Sequence, residues 1–238
     1  MKADLHIHTC LSPCGDLEMS PRNIIRIAKE RGLQVIAITD HNTTRNAAVC
    51  MALGEGAGLY VVPGCEVTTE EEVHMLAYFP DLQAVARFQD YLEQRMRAIL
   101  NDPDRFGYQV AVDAYDIILY EEKRSLFVSI DDTIEGVAET VHRLGGMVVP
   151  AHIDRPKNSI ISQLGFIPPD LKYDALEISR ASVPEEYLKE HRSLRDNSFL
   201  RSSDAHYPED IGTVYTDLEM ERPNWECFRK AVRRCKII

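Results

Sequence analysis

Two kinds of hydrophobic pattern alternate along this chain: short continuous apolar runs, and longer stretches with an apolar residue every three or four positions. Val35-Ile36-Ala37-Ile38-Thr39, Tyr60-Val61-Val62-Pro63, residues 73–78, Met147-Val148-Val149-Pro150, residues 175–178 and 199–201 are of the first kind. They read as strands, several of them covered on both faces. Residues 82–100 show the second kind, with Val85, Phe88, Leu92, Met96 and Ile99 at helical spacing. A helix also starts at Ser20-Pro21, where Ser20 caps and Pro21 sits at a position needing no N–H, and Gly32 ends it. Further helices are expected over 44–52, closed by the glycines at 54, 56 and 58, over 132–144, over 184–195, and around Trp225 with Phe228 as core.

A strand at residues 4–8, the helix from Pro21 and the strand at Val35 form a βαβ unit, which calls for a parallel pair with a right-handed crossover. Six or seven such steps predict an α/β chain: a closed or nearly closed parallel barrel forming one domain over 1–238. Residues 101–126 show no clear period and read as an irregular connection, a small insertion or lid at about 101–130. Residues 214–218 complete the strands.

Composition narrows the class. The 238 residues are 45% hydrophobic and 27% charged, an ordinary globular balance, with no apolar run near the ~20 residues of a membrane span. The first residues lack the order of a signal peptide, so a cytoplasmic setting and six free cysteines (10, 14, 50, 65, 227, 235) are expected. The formal net charge of −11 disfavours a broad nucleic-acid surface and leaves room for a local pocket for a small anion. Cys10 and Cys14 read as loop thiols, and His142 and His191 as helix or surface histidines.

The chemistry lies just past the strands. In the first strand His6 and His8 project to one side while Leu5 and Ile7 face the other. Asp40-His41, Glu66, His152, Asp204 and His206 each follow a strand, and His74 and Asp16 can reach the same face. Strand C-terminal ends of a parallel barrel open on one mouth, so six of the eight histidines converge with several carboxylates. Imidazole and carboxylate without thiolate suit Zn, Mn or Fe. Nine donors exceed one four-coordinate ion and suffice for three, with Glu66 the candidate bridge.

His6-x-His8, Asp40-His41, Gly64-x-Glu66, Ala151-His152 and Ser203-Asp204-Ala205-His206, in this order, resemble the PHP (polymerase and histidinol phosphatase) superfamily over residues 4 to about 215. The resemblance implies a distorted (β/α)7 barrel with a trinuclear metal site at its C-terminal mouth. It implies His6, His8, Glu66 and Asp204 around one ion, Glu66, His74 and His152 around a second, and Asp16, His41 and His206 around a third. Asp40 would orient a ligand histidine. The expected cofactors are two to three divalent ions, and the activity is phosphoester hydrolysis by a hydroxide bridging two ions. Asp204, His206 and Asp40 are the catalytic candidates, the first two for proton delivery to the leaving oxygen. Arg155, Arg180 and Lys157 are candidates for holding phosphate. A small phosphate monoester is the favoured partner, ahead of a phosphodiester or oligonucleotide end, with nucleic acid disfavoured by charge. A metal-stabilised regulatory or scaffold domain is the non-catalytic alternative.

Overall fold

The computed structural model describes residues 1–236. Its central sheet has six strands: β1 (Lys2–Ile7), β2 (Val35–Ile38), β3 (Tyr60–Thr68), β4 (His74–Tyr78), β7 (Met147–Pro150) and β10 (Thr216–Asp217), in the order β10-β1-β2-β3-β4-β7. A separate parallel pair, β8 (Leu176–Glu177) and β9 (Phe199–Leu200), continues its curl. Asp174 N donates to Val148 O and Ile153 N to Glu177 O, linking β8 to β7. Past β9, His8 N and Ala205 O, and Ala205 N and His6 O, join the segment back to β1.

The expected parallel order holds for β1 with β2 and β2 with β3, where α1 (Pro21–Glu30) and α2 (Ala47–Ala57) make the crossovers. It fails beyond them, because β4 runs antiparallel to both β3 and β7, and β10 antiparallel to β1. Only residues 69–73 join β3 to β4, far short of the dozen or more that a parallel return needs. The sheet is therefore mixed, and the reading of it as parallel is corrected.

Helix boundaries shift for local reasons. α2 starts later than expected and runs through Gly54 and Gly56 to a left-handed Gly58 cap. Gly54 is needed for space, since a Cβ there would lie 2.3 Å from Val61 Cγ2 and 3.0 Å from Leu59 O. α3 (Leu82–Arg95), capped by Asp81 on Ala84 N, stops at Met96, whose backbone turns extended. The segment from 101 holds a short helix α4 (Pro103–Phe106) and the antiparallel hairpin β5 (Val110–Val112) and β6 (Ile118–Glu121). Asp113 Oδ1 accepts Tyr115 N and Ile117 N to shape its turn. α5 (Ile134–Arg143), α6 (Ile160–Leu164), α7 (Pro184–Glu190) and α8 (Trp225–Val232) follow, with a 3₁₀ turn at Arg192–Leu194 ending the expected 184–195 helix early. Phe228 of α8 is fully buried with Leu5, Val62 and Leu200, and Trp225 packs on that cluster. All six cysteines are free thiols.

Candidate metal centre

The strand ends deliver a buried cluster around one carboxylate. The alternation of β1 sends Leu5 and Ile7 into apolar clusters and leaves His6 and His8 pointing the other way. Glu66 Oε2 lies 3.3 Å from His6 Nε2, 3.3 Å from His8 Nε2 and 3.1 Å from His41 Nδ1. Its Oε1 lies 2.9 Å from His74 Nδ1 and 3.0 Å from His152 Nε2. Each oxygen thus faces a different set of imidazoles. Asp204 Oδ1 stands 3.3 Å from His6 Nε2 and 3.4 Å from His8 Nε2. His206 stacks on His8 with ring centroids 4.1 Å apart.

The backbone is bent to achieve this. Asn42, His152 and Asp204 have φ of 49°, 30° and 51°, left-handed values that non-glycine residues seldom adopt. All three sit just past strands and beside the cluster. Strain of this kind persists where the surroundings hold it, and it concentrates at functional sites.

A layer of partners fixes the imidazoles. His6 Nδ1 meets Glu177 Oε2 at 3.0 Å, and Glu177 also accepts His152 N. Ser12 Oγ donates to Asp40 and so receives the His8 Nδ1 proton at 2.9 Å, which leaves His8 Nε2 with its lone pair toward Glu66. Asp40 further accepts Thr9 N and Thr9 Oγ1. Asp4 accepts Ser203 N, Ser203 Oγ and Gly212 N, tying β1 to the segment that carries Asp204. Burial pushes the Asp4 carboxyl up to about 6 despite these donors.

Charge within the cluster is unevenly held. Burial disfavours the charged form of every member. Glu66 nonetheless stays well below the usual carboxylate range because His74, His6 and His41 surround it. Against burial, Glu177, Asp204 and Glu66 hold His6 well above its usual range. Burial keeps His41 and His74 low, and it takes His206, beside His8, to about 4.

The arrangement fits divalent cations. His6 Nε2, His8 Nε2 and His41 Nδ1, all facing Glu66, and Asp204 Oδ2 are buried with no aligned hydrogen-bond partner. Unpartnered buried polar atoms are costly unless something else binds them. Three donor groups each lie within 4.8 Å: His6, His8 and Glu66; His41, Glu66 and His74; and His8, His41 and His206. Asp204 Oδ2 lies 2.6 Å from Arg155 Nη2, a charge contact without hydrogen-bond alignment.

Of the residues singled out in the sequence, His6, His8, His41, Glu66, His74, His152, Asp204 and His206 come together, with Arg155 at their edge. Asp16 does not join them through its carboxylate. Its Oδ1 accepts Glu18 N in a local turn, and only its backbone N reaches His206 O. Asp40 is buried behind His8, where it accepts from Ser12 Oγ, Thr9 N and Thr9 Oγ1. Arg180 is engaged with Asp210 at 2.5 Å, and Lys157 is a surface cation. Glu177 and Asp4 escaped the sequence reading. The available signal was an acidic side chain inside an otherwise apolar strand.

The family model of the PHP domain matches residues 4–208, and that of the PHP-associated region matches residues 196–237. An uncharacterized protein of Methanocaldococcus jannaschii is 46% identical over 82 residues, 31% of this chain and 48% of that one. Phosphoribosyl 1,2-cyclic phosphate 1,2-diphosphodiesterase of Eggerthella lenta is 32% identical over 126 residues, 48% of this chain and 46% of that one. The chain thus spans about half the length of these relatives. The lesion-specific endonuclease Q from Pyrococcus furiosus superposes with a TM-score of 0.75 at 21% identity, covering 98% of this chain and 55% of that one. Among the described residues, no helix is long and apolar enough to cross a membrane.

Proposed function

This chain belongs to the PHP domain family, and from its buried histidine cluster we propose that it is a metal-dependent phosphoesterase acting on phosphodiesters of nucleotides or nucleic-acid strands. The observation that carries the proposal is Glu66, whose two oxygens face His6, His8 and His41 on one side and His74 and His152 on the other. Two to three divalent ions, Zn, Mn or Fe, would be held by these residues with Asp204 and His206. Bound there, they supply Lewis acidity that generates a nucleophile from water near neutral pH and offsets charge on the phosphoryl group.

The chain's own residues do the rest. Glu177 and Ser12 lock His6 and His8 in the tautomer whose Nε2 faces the centre. Arg155, partly exposed beside Asp204, has guanidinium donors left for a phosphate oxygen. His206 Nδ1 donates to the Asp204 carbonyl, and whichever of Asp204 and His206 is free of an ion is the group to exchange a proton with the leaving oxygen.

A diester replaces the small monoester that net charge favoured. The diphosphodiesterase relative and the endonuclease neighbour support this. So does the engagement of Arg155 and Arg180 with carboxylates, which suits a singly charged phosphate better than a dianion. The reading takes β1, β2, β3, β4, β7, β8 and β9 as staves of a distorted seven-stranded barrel in one domain, with 101–130 as a lid over the metal-bearing mouth.

The test compares bis(p-nitrophenyl) phosphate with p-nitrophenyl phosphate in Mn, Zn and Fe. Higher kcat/KM on the diester is expected. A monoester preference would restore the small-substrate reading, and no turnover of either ester would contradict a hydrolase.

A further inference from the structure

Two phenyl rings stand exposed at the edge of the candidate metal centre. Phe127 is 42% exposed and Phe106 41%, and their ring centroids lie 5.6 Å apart at 64°. The Phe127 ring is also 5.9 Å from the ring of His41, one of the imidazoles facing Glu66. An aromatic surface therefore leads directly from the polar cluster.

Phe127 is held there by construction. Asn42, fully buried and left-handed, donates through Nδ2 to Leu126 O and Val128 O, the carbonyls on either side of Phe127. Its Oδ1 accepts Thr68 N, so the same side chain ties the loop to β3. Leu126 is buried against Leu11 and Ala111. Both neighbouring positions are anchored while the Phe127 ring is left facing outward. The two-fifths of the ring left in water contributes nothing to folding.

We propose that Phe127 and Phe106 form a stacking platform for a nucleobase of the substrate, next to the phosphoester that the centre cleaves. The proposal rests on the phosphodiester reading above and names the part of the substrate that reading leaves open. A ligand complementary to this surface needs an anionic phosphoester and a flat apolar face joined by a short link, which a nucleotide unit provides. Stacking on an aromatic side chain is tolerant of base identity, so the platform would select for the presence of a base and not its sequence. The Arg105 guanidinium, 5.4 Å from the Phe106 ring, adds positive charge beside it.

The test has two arms, both on the metal-loaded protein. In the first, kcat/KM is measured for thymidine 5′-(p-nitrophenyl phosphate) and methyl p-nitrophenyl phosphate, diesters with the same leaving group. Wild type is expected to favour the base-bearing ester by about tenfold or more, the size of one stacked base. F127A should collapse that ratio to within about threefold of unity, and F127W should keep it. Equal ratios in wild type and F127A would overturn the proposal while leaving the hydrolase reading intact.

In the second arm, quenching of 2-aminopurine is titrated in a single-stranded oligonucleotide and in 2-aminopurine riboside 5′-monophosphate. About tenfold weaker binding by F127A and by F106A, with F127W near wild type, supports the platform even if neither ester turns over. Unchanged affinity in the alanine variants overturns it. Quenching by the free nucleotide as strong as by the oligonucleotide assigns the platform to mononucleotides, and quenching by the oligonucleotide alone assigns it to strands.

Discussion

His6 Nδ1 lies 3.0 Å from Glu177 Oε2, with both side chains buried. The contact fixes Nδ1 as the nitrogen that keeps its proton when His6 gives up the other to bind a cation, which leaves Nε2 directed at Glu66 and Asp204 as the ligand atom. Glu177 also accepts His152 N, so one carboxylate orients two members of the cluster without belonging to it.

Replacing Glu177 by Gln keeps its volume and removes its charge. Carboxylates behind metal-binding histidines typically contribute about 10–100-fold in metal affinity. E177Q should lose metal by about that factor in a competition titration against a chelating dye, with its circular dichroism unchanged. An affinity equal to wild type would show that Glu177 does not act through His6.

This pair also marks the limit of sequence reading. The strand ends were legible because apolar runs such as Val35–Ile38 stop abruptly at Asp40-His41. Glu177 was less so: the one signal was an acidic side chain inside the apolar run 175–178, and a two-residue strand carries no alternation to say which face it takes. Asp16 differs in the opposite way. Its place near the other donors is real for the backbone, but an Asp two residues before an amide readily closes a local turn, and here it bonds Glu18 N. The antiparallel β4 was within reach, because five connecting residues exclude a parallel return. The β5–β6 hairpin was not, as strands of three and four residues carry too little alternation to be recognised.

Acid should weaken the fold through Asp174. Although its burial acts the other way, bonds from His142 Nε2, Val148 N and Arg233 Nε hold its carboxyl below the usual range. A depressed carboxyl stabilises above its unfolded value near 3.9, and that contribution is lost as pH falls through the folded value. Wild type should exceed D174N by about 1–3 kcal/mol at pH 6, and the gap should narrow toward pH 3 in urea titrations. A gap constant with pH would exclude this ionisation as the cause.

Gly54 offers a test of packing against propensity. Alanine favours a helix interior over glycine by about 1 kcal/mol. The added methyl group would meet Val61 Cγ2 at 2.3 Å and the Leu59 carbonyl at 3.0 Å, however, and overpacking costs about 1–3 kcal/mol. G54A should therefore lower the melting temperature. A rise would mean that α2 and β3 can separate without loss.

Chelation should destabilise the folded chain, because ions that bind only the native state add their binding free energy to its stability. A single site at a hundred times its Kd contributes about 2.7 kcal/mol. Dialysis against EDTA should lower the melting temperature by about 5 °C or more, reversed by Mn or Zn. No change would mean that the orphaned imidazole nitrogens are satisfied without metal.

The most direct measurement is metal content by inductively coupled plasma mass spectrometry on purified wild type and E66A. The account predicts two to three ions per chain in wild type and fewer than one in E66A. Wild-type protein active with less than one ion, or E66A keeping the full complement, would contradict Glu66 as the bridge on which the centre is built.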